Sequence, residues 1–356
     1  MTAPRPGTSD QDAVLFVEVT RGGLVESNHR GALAVVDSEG GLLAAAGNPH
    51  YVAYLRSAAK PFQALPTVAA GALDHFGLDQ EALALMCASH HGTEAHVAID
   101  QRILDAIGLD KSALRCGVHW PIDEVATRRL AQAGLEPDAR HNNCSGKHAG
   151  MLTLARYWGC DDDDYTLPDH PVQQAILERL AVLTSLTPAH IHYAPDGCTV
   201  PAFALPLART ALAFARLIDP SAPADCQRVV AAMQAHPHVV SNHGALDDTL
   251  MRAAGSSDAI VSKGGAEGFQ GIGIRTPDGR TVGIALKMAD GSPRGKGPVI
   301  YAVLEALNLV DPTTLARLEP LRQPPITNHR HQVVGEIRPV FALTRFNPPQ
   351  PLPEER

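Results

Sequence analysis

Tyr54-Leu55-Arg56-Ser57-Ala58-Ala59-Lys60-Pro61-Phe62 carries a serine, two small residues and then a lysine. A helix that starts at or near Ser57 puts Lys60 one turn further on, on the same face. A lysine ammonium is a poor base in water. A dry pocket and a neighbouring cation lower its pKa until the amine can take a serine proton. The start of a helix also offers backbone N–H groups that can hold an oxyanion. The stretch is therefore a candidate nucleophile with its base. Any surface helix can carry the same spacing, so the rest of the chain decides the reading. Pro61 suits a first turn, whereas Pro66 implies a kink or a later helix start.

Upstream the pattern is β. Val14–Val19, Val25–Asn28, Ala32–Val36 and Leu42–Ala46 are separated by the turns Arg21-Gly22-Gly23 and Asp37-Ser38-Glu39-Gly40-Gly41. This predicts an antiparallel meander. Downstream the pattern is helical. Helices are expected over 60–71, 81–88, 94–107 capped by Thr93, 121–134, 146–158 closed by Gly159, 168–183, 204–217, 224–235 and 246–254. The β pattern then returns at 258–265, 271–275 and 281–288, with Thr276-Pro277-Asp278-Gly279 as a turn. A helix over 298–307 and a strand over 331–341 follow, and 346–356 reads as Pro-rich extended chain.

The expected fold class is α/β (α+β), with the first and last strands closing one antiparallel sheet flanked by helices. A helical lobe is inserted between them. One catalytic domain is expected over 13–343, with a sheet lobe of 13–60 plus 256–343 and a helical lobe of 61–255. Residues 1–12 and 344–356 are expected as tails. The active cleft is expected between the lobes.

The chain has 356 residues, 45% of them hydrophobic, enough for a large core. Aromatic residues make up 4%, which offers no base-stacking surface. A net charge of −8 argues against nucleic-acid or anionic-membrane partners. No run of about eighteen apolar residues predicts a membrane span. The first twelve residues lack the apolar core of a signal peptide, so the cytoplasm is the expected location. Six dispersed cysteines fit reduced thiols or metal ligands better than a disulfide framework.

Three elements recur in a fixed order: Ser57-Ala58-Ala59-Lys60, then Ser89-His90-His91, then Lys263-Gly264-Gly265. Serine β-lactamases and penicillin-binding proteins use this layout of S-x-x-K, an S-x-N-type loop and a K-T-G strand. Ser89 and Lys263 read as a second serine–lysine pair facing the first, and two nearby ammonium groups lower each other's pKa. His91 stands where Asn is usual and Gly264 where Thr or Ser is usual, so the motifs are not those of a lactamase. The bland readings are a helix cap at Ser89 and a solvated strand end at Lys263.

A further cluster is Asn142-Asn143-Cys144-Ser145-Gly146-Lys147-His148-Ala149-Gly150, with Asp196-Gly197-Cys198-Thr199-Val200-Pro201 some fifty residues later. Two thiols with Lys147, His148 and Asp196 nearby can build a tetrahedral zinc site with an open position. Chemistry alone favours His148 as the third ligand, because a lysine must first lose its proton. The bland reading is two buried cysteines acting as small hydrophobes.

Together these motifs resemble the L-asparaginase II family of the Rhizobium etli type, the third structural class of asparaginases. They are R-S-x-x-K-P at 56–61, S-H-H-G at 89–92, N-C-S-G-K-H at 143–148, D-G-C at 196–198 and S-K-G-G-x-E-G at 262–268. The likeness runs from about Val14 to Leu309. It implies a serine β-lactamase- and glutaminase-like fold, a homodimer, and hydrolysis of L-asparagine to L-aspartate and ammonia. It implies Ser57 as nucleophile, Lys60 as its base, and Ser89 with Lys263 as the supporting pair. It implies zinc on Cys144, Lys147 and Cys198 with water as fourth ligand, so Lys147 replaces His148 in that role. Asp196 is a candidate for the substrate ammonium, and Arg56 or His148 for its α-carboxylate. Two other classes are weighed against this: a penicillin-recognising acylase or peptidase, and a non-catalytic zinc-binding protein.

Overall fold

The structure is a computed structural model that describes residues 12–353. Most of the expected 1–12 tail lies outside the described residues. The described strands are β1 (Val14–Arg21), β2 (Leu24–Asp37), β3 (Gly41–Ala46), β4 (Val52–Tyr54), β5 (His192–Pro195), β6 (Pro201–Pro206), β7 (Ala259–Gly265), β8 (Phe269–Arg275), β9 (Thr281–Met288), β10 (Pro325–Thr327), β11 (Val333–Pro339) and β12 (Thr344–Pro351). The helices are α1 (Lys60–Ala69), α2 (Ala72–His75), α3 (Gln80–Met86), α4 (Glu94–Ala106), α5 (Glu124–Gln132), α6 (Ser145–Trp158), α7 (Pro171–Thr184), α8 (Leu207–Leu217), α9 (Ala224–Ala235), α10 (Pro237–Val240), α11 (Leu246–Ala253), α12 (Lys296–Leu307) and α13 (Pro312–Arg317). Among the described residues no helix is long and apolar enough to cross a membrane. The protein is mixed α/β and divides into two units.

The first unit comprises residues 12–58, 204–219 and 249–353. Its sheet is antiparallel, in the order β10-β11-β1-β2-β9-β8-β7, with β3 also on β2 and β12 on β3. The first and last strands of the chain therefore share one sheet, as the sequence predicts. The two short segments expected at 25–28 and 32–36 are one strand. The first five residues of β2 are exposed and the rest is mostly buried, because β9 and β3 flank only its far half. Helix α8 packs on β8 and β9. A Cβ at Gly283 would lie 1.7 Å from the Ala211 carbonyl oxygen, and one at Gly271 would lie 2.0 Å from the Phe214 ring. Only glycine lets the helix approach that closely.

Two expectations are corrected here. Residues 204–219 were expected in the helical lobe but belong to the sheet unit. Ala204 to Pro206 finish β6, pairing with Tyr54 to Val52, and every residue of α8 but Arg216 is buried. Residues 344–356 were expected as a tail, yet Thr344 and Arg345 pair with Ala45 and Ala44, and Gln350 and Pro351 with Leu42 and Gly41. The prolines are tolerated because β12 is an edge strand with an interrupted ladder.

The second unit comprises residues 59–203 and 220–248 and is mainly helical. At its centre is α6, with Ser145 through Ala155 all buried. Small residues explain how it fits. A Cβ at Gly146 would lie 2.4 Å from the Leu85 carbonyl, and one at Gly150 2.9 Å from Met86 Cγ, so α3 crosses α6 at backbone contact. Helix α1 carries Pro61 in its first turn and Pro66 inside, and Thr67 Oγ1 donates to the Gly150 carbonyl at 3.1 Å. Thr93 caps α4 as predicted, in a box with His96. Asp123 caps α5, so that helix starts at Glu124 and not at Pro121.

Candidate active site

In the first unit, Ser57 sits in the 3-10 turn Arg56–Ala59, which leads directly into α1. Arg56 has φ +50°, a left-handed conformation that costs a side-chain-bearing residue energy. Ser57 and Arg56 are half-buried. The Ala58 N–H is spent on the Leu55 carbonyl at 3.0 Å. Lys263 lies on β7, 1% exposed, and its Nζ donates to the Gly264 carbonyl at 3.0 Å. A Cβ at Gly265 would lie 2.3 Å from the Leu55 carbonyl oxygen, so the end of β7 rests on the backbone two residues before Ser57. Behind Lys263, Lys296 Nζ donates to Gln270 Oε1 at 2.9 Å and Gln270 Nε2 donates to Ser262 Oγ at 2.8 Å. That buried run fastens β7 in place.

In the second unit, Lys60 opens α1 and is completely buried. Its Nζ lies 2.6 Å from the Ala88 carbonyl, 3.0 Å from the Asn143 carbonyl and 2.9 Å from Ser89 Oγ. Two of these partners can only accept, so they hold two N–H groups. Ser89, by contrast, meets the amine through a hydroxyl, which can also return a proton. Ser89 follows α3, and its own N–H is held by the Val240 carbonyl at 2.9 Å. The Ser89 hydroxyl lies 2.9 Å from the Lys60 amine.

The second cluster adjoins the first. Cys144 caps α6, Lys147 lies in its first turn, and Cys198 comes from the loop before β6; all three are buried. Lys147 Nζ donates to Cys198 Sγ at 3.0 Å. A hydrogen bond from Cys198 holds the Cys144 thiol well below its ordinary pKa against the cost of burial, helped by the charges of Lys60 and Lys147. Cys198 is pushed up by that same bond and by burial. Burial alone would lower Lys147, but the sulfurs outweigh it and its pKa stands above the ordinary value.

The substrate-binding candidates lie apart in character. Asp196 is half-buried beside this cluster, its Oδ1 accepting from Gly197 N–H at 2.7 Å. His148 is completely buried, with Nδ1 2.7 Å from the Tyr165 hydroxyl. Burial first, then the charges of Lys147 and Lys60, keep its pKa well below the ordinary histidine value. Thr199, next to Cys198, has φ +78°, and its Oγ1 reaches the Arg115 carbonyl at 3.1 Å.

Among the described residues no three of His, Cys, Asp and Glu come together as a metal site. Cys144, Lys147 and Cys198 nevertheless form a buried set of two sulfurs and one amine, and that donor set fits a tetrahedral zinc with one open position. Sequence reasoning missed His90, Ser145, Asp100 and the Asn143 carbonyl as parts of this region. His90, Ser145 and Asn143 stand inside motifs it had singled out, but spacing does not show which of them touch.

The model of the L-asparaginase II family matches residues 17–339. The chain belongs to that family, a family of amidohydrolases. No curated protein matches it. Solved structures similar to it include that of Mglu, at 16% identity and TM-score 0.40 over 79% of this chain and 67% of that one. Another is a variant of the class A β-lactamase of the last common ancestor of Gram-negative bacteria, at 17% identity and TM-score 0.35 over 86% and 94% of the two chains. A β-lactamase from Burkholderia ambifaria has 11% identity and TM-score 0.34 over 83% and 92%.

Proposed function

We propose that this protein hydrolyses the side-chain amide of L-asparagine to L-aspartate and ammonia, as a homodimeric asparaginase of the Rhizobium etli type. The observation that carries the reading is the buried Lys60 amine, held within hydrogen-bond distance of the Ala88 and Asn143 carbonyls and of the Ser89 hydroxyl. Ser57, three residues earlier on the same helical run, attacks the amide carbon while Lys60 accepts its proton. The Oγ–C bond forms, the C–N bond breaks, and the proton travels through Lys60 and Ser89 to the leaving ammonia. Backbone N–H groups at the strained turn hold the oxyanion. Water then cleaves the β-aspartyl ester with the same groups working in reverse. Lys263, fastened on β7 beside the backbone that precedes Ser57, supports the nucleophile.

Cys144, Lys147 and Cys198 would hold zinc, which supplies a fixed positive charge for orienting a carboxylate. Asp196 meets the substrate ammonium and Arg56 its α-carboxylate. His148 holds Tyr165 at the base of the cluster. The test is ammonia release from L-asparagine by the wild type and by Ser57→Ala. Loss of release in the variant supports the reading, and turnover equal to the wild type overturns it.

A further inference from the structure

Two side chains inside the motifs have no part in the chemistry above. His90 and Ser145 are completely buried, and His90 Nε2 lies 2.8 Å from Ser145 Oγ. The backbone sets the direction of this bond. His90 Nδ1 accepts the Gly92 N–H at 3.1 Å, so the ring proton is on Nε2 and is donated to Ser145. Ser145 Oγ in turn donates to the Arg140 carbonyl at 3.1 Å. From Gly92 through His90 and Ser145 to Arg140, each donor meets an acceptor in one consistent direction.

The groups around the ring keep it neutral. Burial comes first, followed by the charges of His96, Lys60, His119 and His91. His96 stacks on His90 with ring centroids 5.1 Å apart, and burial lowers its own pKa to about 4. Asp100, wholly buried on α4, faces Ser145 from the other side.

The position of this bond in the chain gives it a consequence. His90 directly follows Ala88 and Ser89, and Ser145 directly follows Asn143 and Cys144. Ala88, Ser89 and Asn143, which meet the Lys60 amine, come from these two segments: Ala88 and Asn143 through carbonyls, and Ser89 through its hydroxyl. A cross-link one residue beyond each segment sets the spacing between the groups that grip the amine. We propose that His90 and Ser145 are positioning residues that hold the 88–90 and 143–145 segments at the separation the Lys60 amine requires; this rests on the reading of Lys60 as the base. A shift of about 1 Å in a reacting group costs on the order of 10²-fold in rate.

The test compares the wild type with Ser145→Ala, Ser145→Thr and His90→Gln. In Ser145→Ala, kcat is expected to fall roughly 10- to 100-fold with KM within about twofold, because substrate contacts are untouched. Ser145→Thr keeps the hydroxyl and recovers most of the rate. His90→Gln keeps a donor toward Ser145 and falls between them, which covers the case in which Ser145→Ala does not fold. A folded Ser145→Ala with wild-type kcat overturns the proposal, as does a loss that Ser145→Thr fails to recover. A second readout needs no turnover: the separation of the Ala88 and Asn143 carbonyl oxygens in crystal structures of the wild type, Ser145→Ala and Ser145→Thr. It changes in Ser145→Ala and returns in Ser145→Thr if the cross-link sets the cage; an unchanged separation overturns the inference. A wild type that released ammonia from no amide would remove the proposed function, and the structures would still decide the cross-link.

Discussion

Asp100→Asn is expected to stabilise the protein above neutral pH and to change it little in acid. Asp100 is completely buried on α4. Burial raises its carboxyl from an ordinary 3.8 to about 7, and neither carboxyl oxygen has a hydrogen-bond partner among the described residues. The folded pKa lies above the unfolded one, so the native chain keeps a proton that the unfolded chain releases. No stability is lost below the unfolded pKa. The loss grows as pH rises between the two values and is complete above the folded one. A gap of about 3 units corresponds to about 4 kcal/mol. Asparagine cannot ionise, so it is free of this pH-dependent loss. Urea unfolding at pH 8 and pH 5 is the assay, because a fixed offset from the amide cancels between the two. The stability difference between variant and wild type is expected to be larger at pH 8 by roughly 2–3 kcal/mol. A difference that is the same at both pH values, or larger in acid, would refute the reasoning.

Other expectations are more direct. Ser89→Ala leaves the Lys60 amine without its hydroxyl partner and should lower kcat for ammonia release by about 10²-fold or more; an unchanged rate would remove Ser89 from the proton path. Cys144→Ala with Cys198→Ala leaves Lys147 as the sole member of the donor set, and zinc measured by mass spectrometry should fall to background; equal zinc in variant and wild type would place the metal elsewhere. Gly283→Ala would push a methyl group to 1.7 Å from the Ala211 carbonyl, so a loss of about 3 kcal/mol or of soluble protein is expected, and a wild-type melting profile would contradict the packing of α8.

Local signals in the sequence served well where local chemistry decides. Thr93 before α4, Gly159 after α6 and the Thr276-Pro277-Asp278-Gly279 turn stand where capping and turn preferences put them. The return of β pattern after a helical middle was enough to predict that first and last strands share a sheet. Two segments misled because tertiary context overrides pattern. Pro201–Pro206 is an apolar run that periodicity cannot separate from the helix after it. Thr344–Pro351 is proline-rich, yet an edge with an interrupted ladder accepts it. Ser57, Lys60, Ser89 and Lys263 were readable as candidates because each sits in a compact motif. The bonds from Lys60 to Asn143 and from His90 to Ser145 were not, because they join residues 83 and 55 positions apart with no shared period.

The central claim is a covalent step at Ser57 aided by the buried amine of Lys60. Acid quench of the wild type during turnover of L-asparagine, followed by peptide mass spectrometry, tests it most directly. The account predicts an increase of about 115 Da, a β-aspartyl ester, on the peptide that contains Ser57. Active enzyme with no adduct on that peptide and a bound acyl group on another residue would contradict it.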